Sequence, residues 1–178
     1  MLITVKQYPL ETKRTFLRAF NQSDLNDFFE YAKVEGVGEM AGWIHHNNPS
    51  ETQMILDSFI DKDNVYAIVD KKSLKVIGSL GLEDSKYYQH LKIVEIGYVL
   101  AQSFWGQGLM AEVVNCVNDH LFNVVGLDGI TVTHFDFNKQ SQRVIEKCGF
   151  KFIESSPFYS KQLKKSLVSH RYLKLKDH

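Results

Sequence analysis

The chain has 178 residues, 44% of them hydrophobic, and its 21 Lys and Arg balance 21 Asp and Glu; this length fits a single domain, 1–178, that buries a core without disulfide or metal. Zero net charge argues against a general nucleic-acid binder, no apolar run is long enough for a transmembrane helix, and Met1–Leu10 does not read as a signal peptide. The two cysteines, Cys116 and Cys148, form neither a disulfide framework nor a zinc site, so a reducing cytoplasm is the expected compartment. In chain order, Thr15–Phe20 reads as a strand. Ser23 is placed to cap a helix whose apolar face is Leu25, Phe28, Phe29 and Ala32. Residues 35–48 read as a loop holding three glycines and His45-His46. Ser50-Glu51-Thr52-Gln53 has the pattern of a capping box opening a helix with Ile55, Leu56, Phe59 and Ile60. Strands follow at Val65–Val69, Val76–Leu82 and Ile93–Leu100. A helix from Gly108 to about Asn123 repeats Leu109, Val113, Val117 and Leu121. Ile130–Phe135 is a strand, Asn138–Cys148 a helix closed by Gly149, and Lys151–Glu154 and His170–Leu175 are the last strands. Three consecutive strands argue for antiparallel pairing and the later strand–helix–strand unit for a parallel pair, which together make a mixed α/β sheet.

Charge is unevenly distributed. Residues 1–138 hold 11 basic and 18 acidic side chains; residues 139–178 hold 10 and 3. Solvated faces account for such a split, and so does an acidic part that meets a cationic substrate beside a basic part that meets an anionic cofactor.

The most informative segment is the strand Val94-Glu95-Ile96-Gly97-Tyr98-Val99-Leu100 followed by Trp105-Gly106-Gln107-Gly108-Leu109-Met110-Ala111. A strand runs into a glycine turn that opens a helix, and the first N–H groups of a helix form a phosphate site. Gly106 to Ala111 also fits the G-x-G-x-x-A dinucleotide fingerprint. That reading needs an early parallel unit and an acidic residue ending the next strand. Here the strand stops before Trp105, Asp128 precedes a strand, and too little chain follows for a second nucleotide-binding half. No Gly-Lys-Ser/Thr follows the glycines, so the Walker pattern fails.

Four features fall in one order: Glu95-Ile96-Gly97-Tyr98, Trp105-Gly106-Gln107-Gly108, Asn138 with Ser141, and Val144-Ile145-Glu146-Lys147-Cys148-Gly149-Phe150. Over about residues 15–175 the chain resembles the GCN5-related N-acetyltransferases (GNAT superfamily), most closely the RimJ/RimL-type branch, which includes ribosomal-protein N-terminal acetyltransferases. The resemblance implies a mostly antiparallel central sheet, splayed at one parallel strand pair, with helices on both faces. It implies acetyl-CoA as co-substrate, with pantetheine beside Tyr98, Val99 and Leu100, pyrophosphate on the N–H groups from Gly106 through Gln107, Gly108 and Leu109 to Met110, and Asn138 on the pantetheine arm. Lys139 or Arg143 is a further candidate for a phosphate. The pattern departs from the superfamily at Trp105 and Met110, where the backbone donors survive, and at Ile145. Many members carry there the tyrosine that protonates the CoA thiolate. In the RimJ/RimL branch a serine one turn into this helix is proposed for the task, and Ser141 matches it.

Acetyl transfer requires a neutral amine, so a base must take its proton. Glu95 is the first candidate, since a charged residue within an apolar strand needs water or a partner; the histone-acetylating branch uses a glutamate at the matching position. Glu83 is the second candidate. Trp43 and His46, in the loop where this family builds its acceptor site, are candidate acceptor-site residues with Glu83. No metal is expected, because the histidines lack ligand spacing. The expected partner is a primary amine, either a protein N-terminal α-amine or a small molecule, with no nucleic acid and no membrane. A non-catalytic CoA-binding sensor or scaffold is the alternative that the missing tyrosine keeps open.

Overall fold

The computed structural model describes residues 3–85 and 90–176. Its elements are β1 (Leu10–Glu11), β2 (Thr15–Ala19), α1 (Leu25–Ala32), α2 (Pro49–Lys62), β3 (Val65–Asp70), β4 (Val76–Asp84), β5 (Ile93–Leu100), α3 (Leu109–His120), β6 (Gly129–Phe135), α4 (Lys139–Lys147), β7 (Lys151–Ser160) and β8 (Lys165–Leu175). The described strands form one sheet in the order β1-β2-β3-β4-β5-β6-β8-β7. Every neighbouring pair is antiparallel except β5 and β6. That pair is joined through α3, the crossover a parallel connection requires. The mixed α/β class expected from the element order is the class observed.

Strand alternation divides the core in two. Tyr66 and Ile68 of β3 point to one face of the sheet and pack with Leu80, Ile96, Val132 and the apolar side of α3 and α4. Val65, Ala67 and Val69 point to the other face, against Phe28, Tyr31 and Leu56 of α1 and α2. The α1 and α2 layer covers one face, and the α3 and α4 layer the other.

The parallel ladder is short. It runs from Ile93 opposite Gly129 to Ile96 opposite Val132 and stops. β5 continues to Leu100 and β6 to Phe135. From Gly97 onward β5 has lost its strand neighbour on the β6 side, while β4 still pairs with it as far as Leu100. The two strands splay apart and leave backbone groups of β5 facing an opening.

Two helix starts differ from the sequence expectation. Ser23 does not cap α1; it lies in a short 3-10 turn, Gln22–Asp24, that leads into the helix and is itself capped by Asn21, whose side chain accepts from the Ser23 N–H at 2.9 Å while Asp24 accepts from the Asn21 N–H. α2 begins at Pro49, with Asn48 as cap accepting from the Glu51 N–H at 3.1 Å. Proline has a preset φ and no N–H to satisfy, so it takes the first helical position and moves the start ahead of Ser50. α2 therefore buries Thr52 and Leu56, whereas Ile55 is 39% exposed. β7 and β8 form a longer hairpin than expected, paired from Lys151–Leu173 out to Ser160–Lys165. Backbone hydrogen bonds extend it through residues with little apolar alternation.

Candidate active site

A cavity of about 670 Å³ opens where β5 and β6 part. Successive strand residues face opposite sides of a sheet, so β5 contributes different chemistry to the two halves of this cavity. Glu95, with Glu83 directly opposite on β4, belongs to the α1 and α2 side. Tyr98 packs toward the α3 and α4 side. Only a ligand passing through the split between β5 and β6 reaches both.

On the first side, the Thr133 hydroxyl of β6 donates to Glu95 Oε1 at 2.5 Å. This contact spans the gap at the point where the backbone ladder has ended. Glu83 accepts from the Asn64 side-chain amide at 3.1 Å. Like charges opposite each other in a sheet are destabilising, so a cation received between Glu83 and Glu95 is favoured. Val37, Met40, Ala41, Phe135 and Phe158 supply an apolar wall, and Arg171 also reaches the cavity. Arg171 pairs with Glu154 at 2.6 Å.

Val37, Met40 and Ala41 come from the loop between α1 and α2, Phe135 from β6 and Phe158 from β7. Gly42 adopts φ 87°, and a Cβ there would sit 2.7 Å from the Phe135 ring, so only glycine lets this loop approach β6 so closely. The Ser160 hydroxyl donates to the Gly42 carbonyl at 2.8 Å, and Gln162 accepts from the Ile44 N–H at 3.0 Å. Both contacts fasten the loop to the tip of the β7–β8 hairpin. Within the loop, burial pushes the Glu39 carboxyl up, but hydrogen bonds from His45 and Gly36 outweigh it and hold the group down at about 2.

On the opposite side, Ser141 lies in the first turn of α4 and is buried. Its Oγ is 2.9 Å from the Tyr98 phenol oxygen. Burial drives the Tyr98 pKa up, against the opposing pull of Ser141, so the phenol keeps its proton. Asn138 caps α4, accepting from the Ser141 N–H at 3.0 Å and donating to the Met40 carbonyl at 3.1 Å. Its amide therefore links α4 to the loop between α1 and α2. Ile145 is 1% exposed in the core and offers no proton.

At the far end, Gly106 and Gly108 have φ 73° and 71°. Gly108 begins α3 with no side-chain cap, so the first N–H groups of the helix are left for a ligand. A Cβ at Gly106 would meet nothing within 4 Å, and one at Gly108 would lie 3.8 Å from Lys147 Nζ. Arg143 and Lys147, one turn apart on α4, line this end. Backbone donors at a helix start, flanked by two cations, suit a pyrophosphate.

The structure thus gathers Glu95, Ser141, Tyr98, Val99, Leu100, Gly106, Gly108, Leu109, Met110, Asn138 and Glu83 around one cavity. Gln107 does not line it: its side chain donates to the Ser103 carbonyl at 3.0 Å, and its own carbonyl accepts from Arg14 at 3.0 Å. Trp43 and His46 also lie elsewhere. The Trp43 ring fills the space over Gly38, and His46 sits against Phe28 and Trp43 with Nδ1 2.8 Å from Thr52 Oγ1. Burial lowers the His46 pKa. Lys139 faces Gln142 at 3.3 Å, away from the cavity. Sequence reasoning missed Thr133, Arg171 and Lys147. The four-residue spacing of Arg143 and Lys147 was a readable sign of one helix face; Thr133 and Arg171 required the sheet register.

A family model described as an acetyltransferase (GNAT) domain matches residues 14–151. The chain belongs to the GNAT acetyltransferases. YoaA of Bacillus subtilis (strain 168), described as an uncharacterized N-acetyltransferase, is 25% identical over 146 residues, which cover 79% of this chain and 81% of YoaA. A GNAT acetyltransferase from Bacillus anthracis superposes with TM-score 0.83 at 18% identity, covering 94% of this chain and 98% of that one. The ribosomal-protein-S5-alanine acetyltransferase of Vibrio fischeri gives 0.75 at 19%, covering 95% and 97%. The microcin C7 self-immunity acetyltransferase MccE, in complex with acetyl-CoA and AMP, gives 0.77 at 17%, covering 92% and 93%. As a GNAT N-acetyltransferase this protein uses acetyl-CoA and acts on an amine acceptor. Among its described residues no helix is long and apolar enough to cross a membrane.

Proposed function

We propose that this GNAT enzyme acetylates the α-amine of a peptide or protein N-terminus, with Glu95 as general base and Ser141 as the hydroxyl that meets the departing thiolate. The observation that carries the reading is the placement of these groups on opposite faces of the sheet, at the point where β5 and β6 separate. Glu95, held by Thr133, takes a proton from an amine arriving on the α1 and α2 side. Ser141 faces the sulfur on the α3 and α4 side. The glycine turn and the start of α3, with Arg143 and Lys147, hold the phosphates.

An α-amine has a pKa of about 7.7–8.0, against about 10.4 for a lysine side chain, so a single carboxylate suffices to free it near neutral pH. The apolar wall of Val37, Met40, Ala41, Phe135 and Phe158 suits an acceptor with one positive charge and an adjoining side chain. A polycation would lay further charge on that wall at a desolvation cost. The Vibrio fischeri neighbour, an acetyltransferase of ribosomal protein S5 alanine, is in keeping with such an acceptor.

The test is thiol release from acetyl-CoA with three acceptors: peptides with free N-terminal Ser or Ala, N-terminally blocked peptides carrying Lys, and spermidine. Turnover confined to the free α-amines supports the proposal. Preference for spermidine or the blocked peptides overturns it. Tight CoA binding without turnover on any amine replaces it with the non-catalytic reading.

A further inference from the structure

We infer that Tyr98 is a positioning residue for the leaving-group step, donating its phenolic O–H to Ser141 Oγ and so directing the serine's own proton toward the thioester sulfur. This rests on the role given above to Ser141. Three observations place the phenol there. Parity along β5 sends the Tyr98 side chain to the α3 and α4 side, away from Glu95. Its oxygen lies 2.9 Å from Ser141 Oγ and 3.4 Å from the Ser141 carbonyl. Tyr98 and Ser141 both line the cavity, whereas Ile145 is buried away from any such role.

The direction of the hydrogen bond follows from chemistry. A phenol is a stronger donor and a weaker acceptor than an alkyl hydroxyl, and of the two acceptors in its reach Ser141 Oγ at 2.9 Å is nearer than the Ser141 carbonyl at 3.4 Å, so the tyrosine gives its proton to the serine hydroxyl. A serine that accepts in this way is a better donor through its remaining proton, because hydrogen bonds in a chain polarise one another. In the opposite arrangement Ser141 would spend its proton on Tyr98 and present only lone pairs to the sulfur. Asn138 completes the arrangement by fixing the Ser141 N–H, and with it the first turn of α4.

The step balances without ionising the tyrosine. The amine nitrogen forms a bond to the carbonyl carbon, its proton passing to Glu95 and then to solvent. The C–S bond breaks and its electron pair stays on sulfur, where the Ser141 O–H binds it. A thiol ionises near pH 8.5, so the thiolate takes its proton from water as CoA leaves. Tyr98 keeps its proton throughout, in accord with a buried phenol that resists ionisation.

The test uses the full chain and CoA itself, and does not depend on knowing the acceptor. The ultraviolet absorbance of the bound CoA thiolate is followed against pH in wild type, Tyr98→Phe, Ser141→Ala and the double variant. Ser141→Ala is expected to lose about tenfold of the thiolate preference, the worth of one hydrogen bond to a charged group, and Tyr98→Phe a smaller part, about twofold, because it removes only the polarisation of that bond. The double variant is expected to match Ser141→Ala, because Tyr98 acts through the serine. Turnover of any accepted amine should show the same pattern in kcat, with KM for acetyl-CoA within about twofold, the reverse of lost ground-state binding. Tyr98→3-fluorotyrosine, a more acidic phenol of nearly the same shape and a stronger donor, should favour the thiolate more than wild type does; if the phenylalanine variant does not fold, an unchanged titration in this variant overturns the inference. An unchanged thiolate titration in Tyr98→Phe overturns the inference, as does a double variant whose loss is the product of the two. Failure of turnover with an intact thiolate effect overturns the proposed acceptor chemistry instead.

Discussion

At the scale of single residues, the site depends on two contacts that each join separate elements: Thr133 to Glu95 and Tyr98 to Ser141. Glu95→Gln keeps the shape of the side chain and removes the proton acceptor. It should lower kcat by about 10²–10⁴, the span for a lost general base, while acetyl-CoA affinity and thermal midpoint stay near wild type. A rate within a few-fold of wild type would transfer the base role to Glu83 or a water chain. Thr133→Val is isosteric and removes only the donor. Its expected effect is about a tenfold loss of kcat, because a hydrogen bond to a charged group contributes roughly 1.5–3 kcal/mol and part of that serves to aim the carboxylate. Glu95 was legible as chemistry from the sequence, since a charge within an apolar strand stands out, and Glu83 followed as the carboxylate ending the preceding strand; Tyr98 entered only as part of the strand that the resemblance places beside pantetheine. Their partners were not legible. Thr133 and Glu95 are 38 positions apart in the chain, and Tyr98 and Ser141 are 43. No local pattern encodes a meeting that β-sheet register and a helical crossover produce.

At the scale of elements, the same contrast separates what could be read from what could not. β5 was expected at Ile93–Leu100 and is found there, because continuous apolar residues ending at a polar turn are a local signal. The start of α2 was misplaced because two capping patterns overlap in sequence, Asn48-Pro49 and Ser50-Gln53, and the proline decides between them. The segment between α1 and α2 was read as a loop, but its anchors are distant: Ser160, Gln162 and Asn138. Two of its contacts give predictions. Asn138→Ala removes the cap of α4 and should cost about 1 kcal/mol of stability. It should also cost turnover, because both Ser141 and Met40 lose a partner; equal turnover at reduced stability would confine Asn138 to capping. Glu39 is the pH-sensitive anchor. Its carboxyl is held at about 2, well below the ordinary glutamate value of 4.5. Its stabilising contribution is therefore complete above pH ~4.5 and is lost as pH falls from there toward 2. The thermal midpoint of Glu39→Gln should lie below wild type at pH 7, and the difference should shrink across that window. A difference that is constant with pH would show that the charge of Glu39 does not hold the loop.

At the scale of the whole molecule, the uneven distribution of charge acquires a location. The basic C-terminal stretch contributes α4, whose Arg143 and Lys147 line the end of the cavity beside Gly106 and Gly108. The acidic remainder contributes Glu83 and Glu95 at the other end. Arg143 and Lys147 thus flank the glycine turn, while at the other end Arg171, opposite Thr133 on β8, stands among the two carboxylates. Acetyl-CoA at about 100 times its dissociation constant should add about 2.7 kcal/mol of stability, which for a chain of this size raises the midpoint by roughly 5–10 °C. NAD should give no such shift, because the glycine turn lacks the second nucleotide-binding half that a dinucleotide requires. Arg143→Ala with Lys147→Ala should weaken acetyl-CoA at low salt and matter far less at high salt. Both side chains are exposed, and the distance over which exposed charges act shrinks from about 10 Å at 0.1 M salt to about 3 Å at 1 M. Backbone donors from the glycine turn are uncharged and fixed by the fold, so the binding that survives in salt measures their share. If the double variant binds as wild type does at low salt, the phosphates rest on the helix start alone, and the basic character of α4 serves the protein surface and not the ligand.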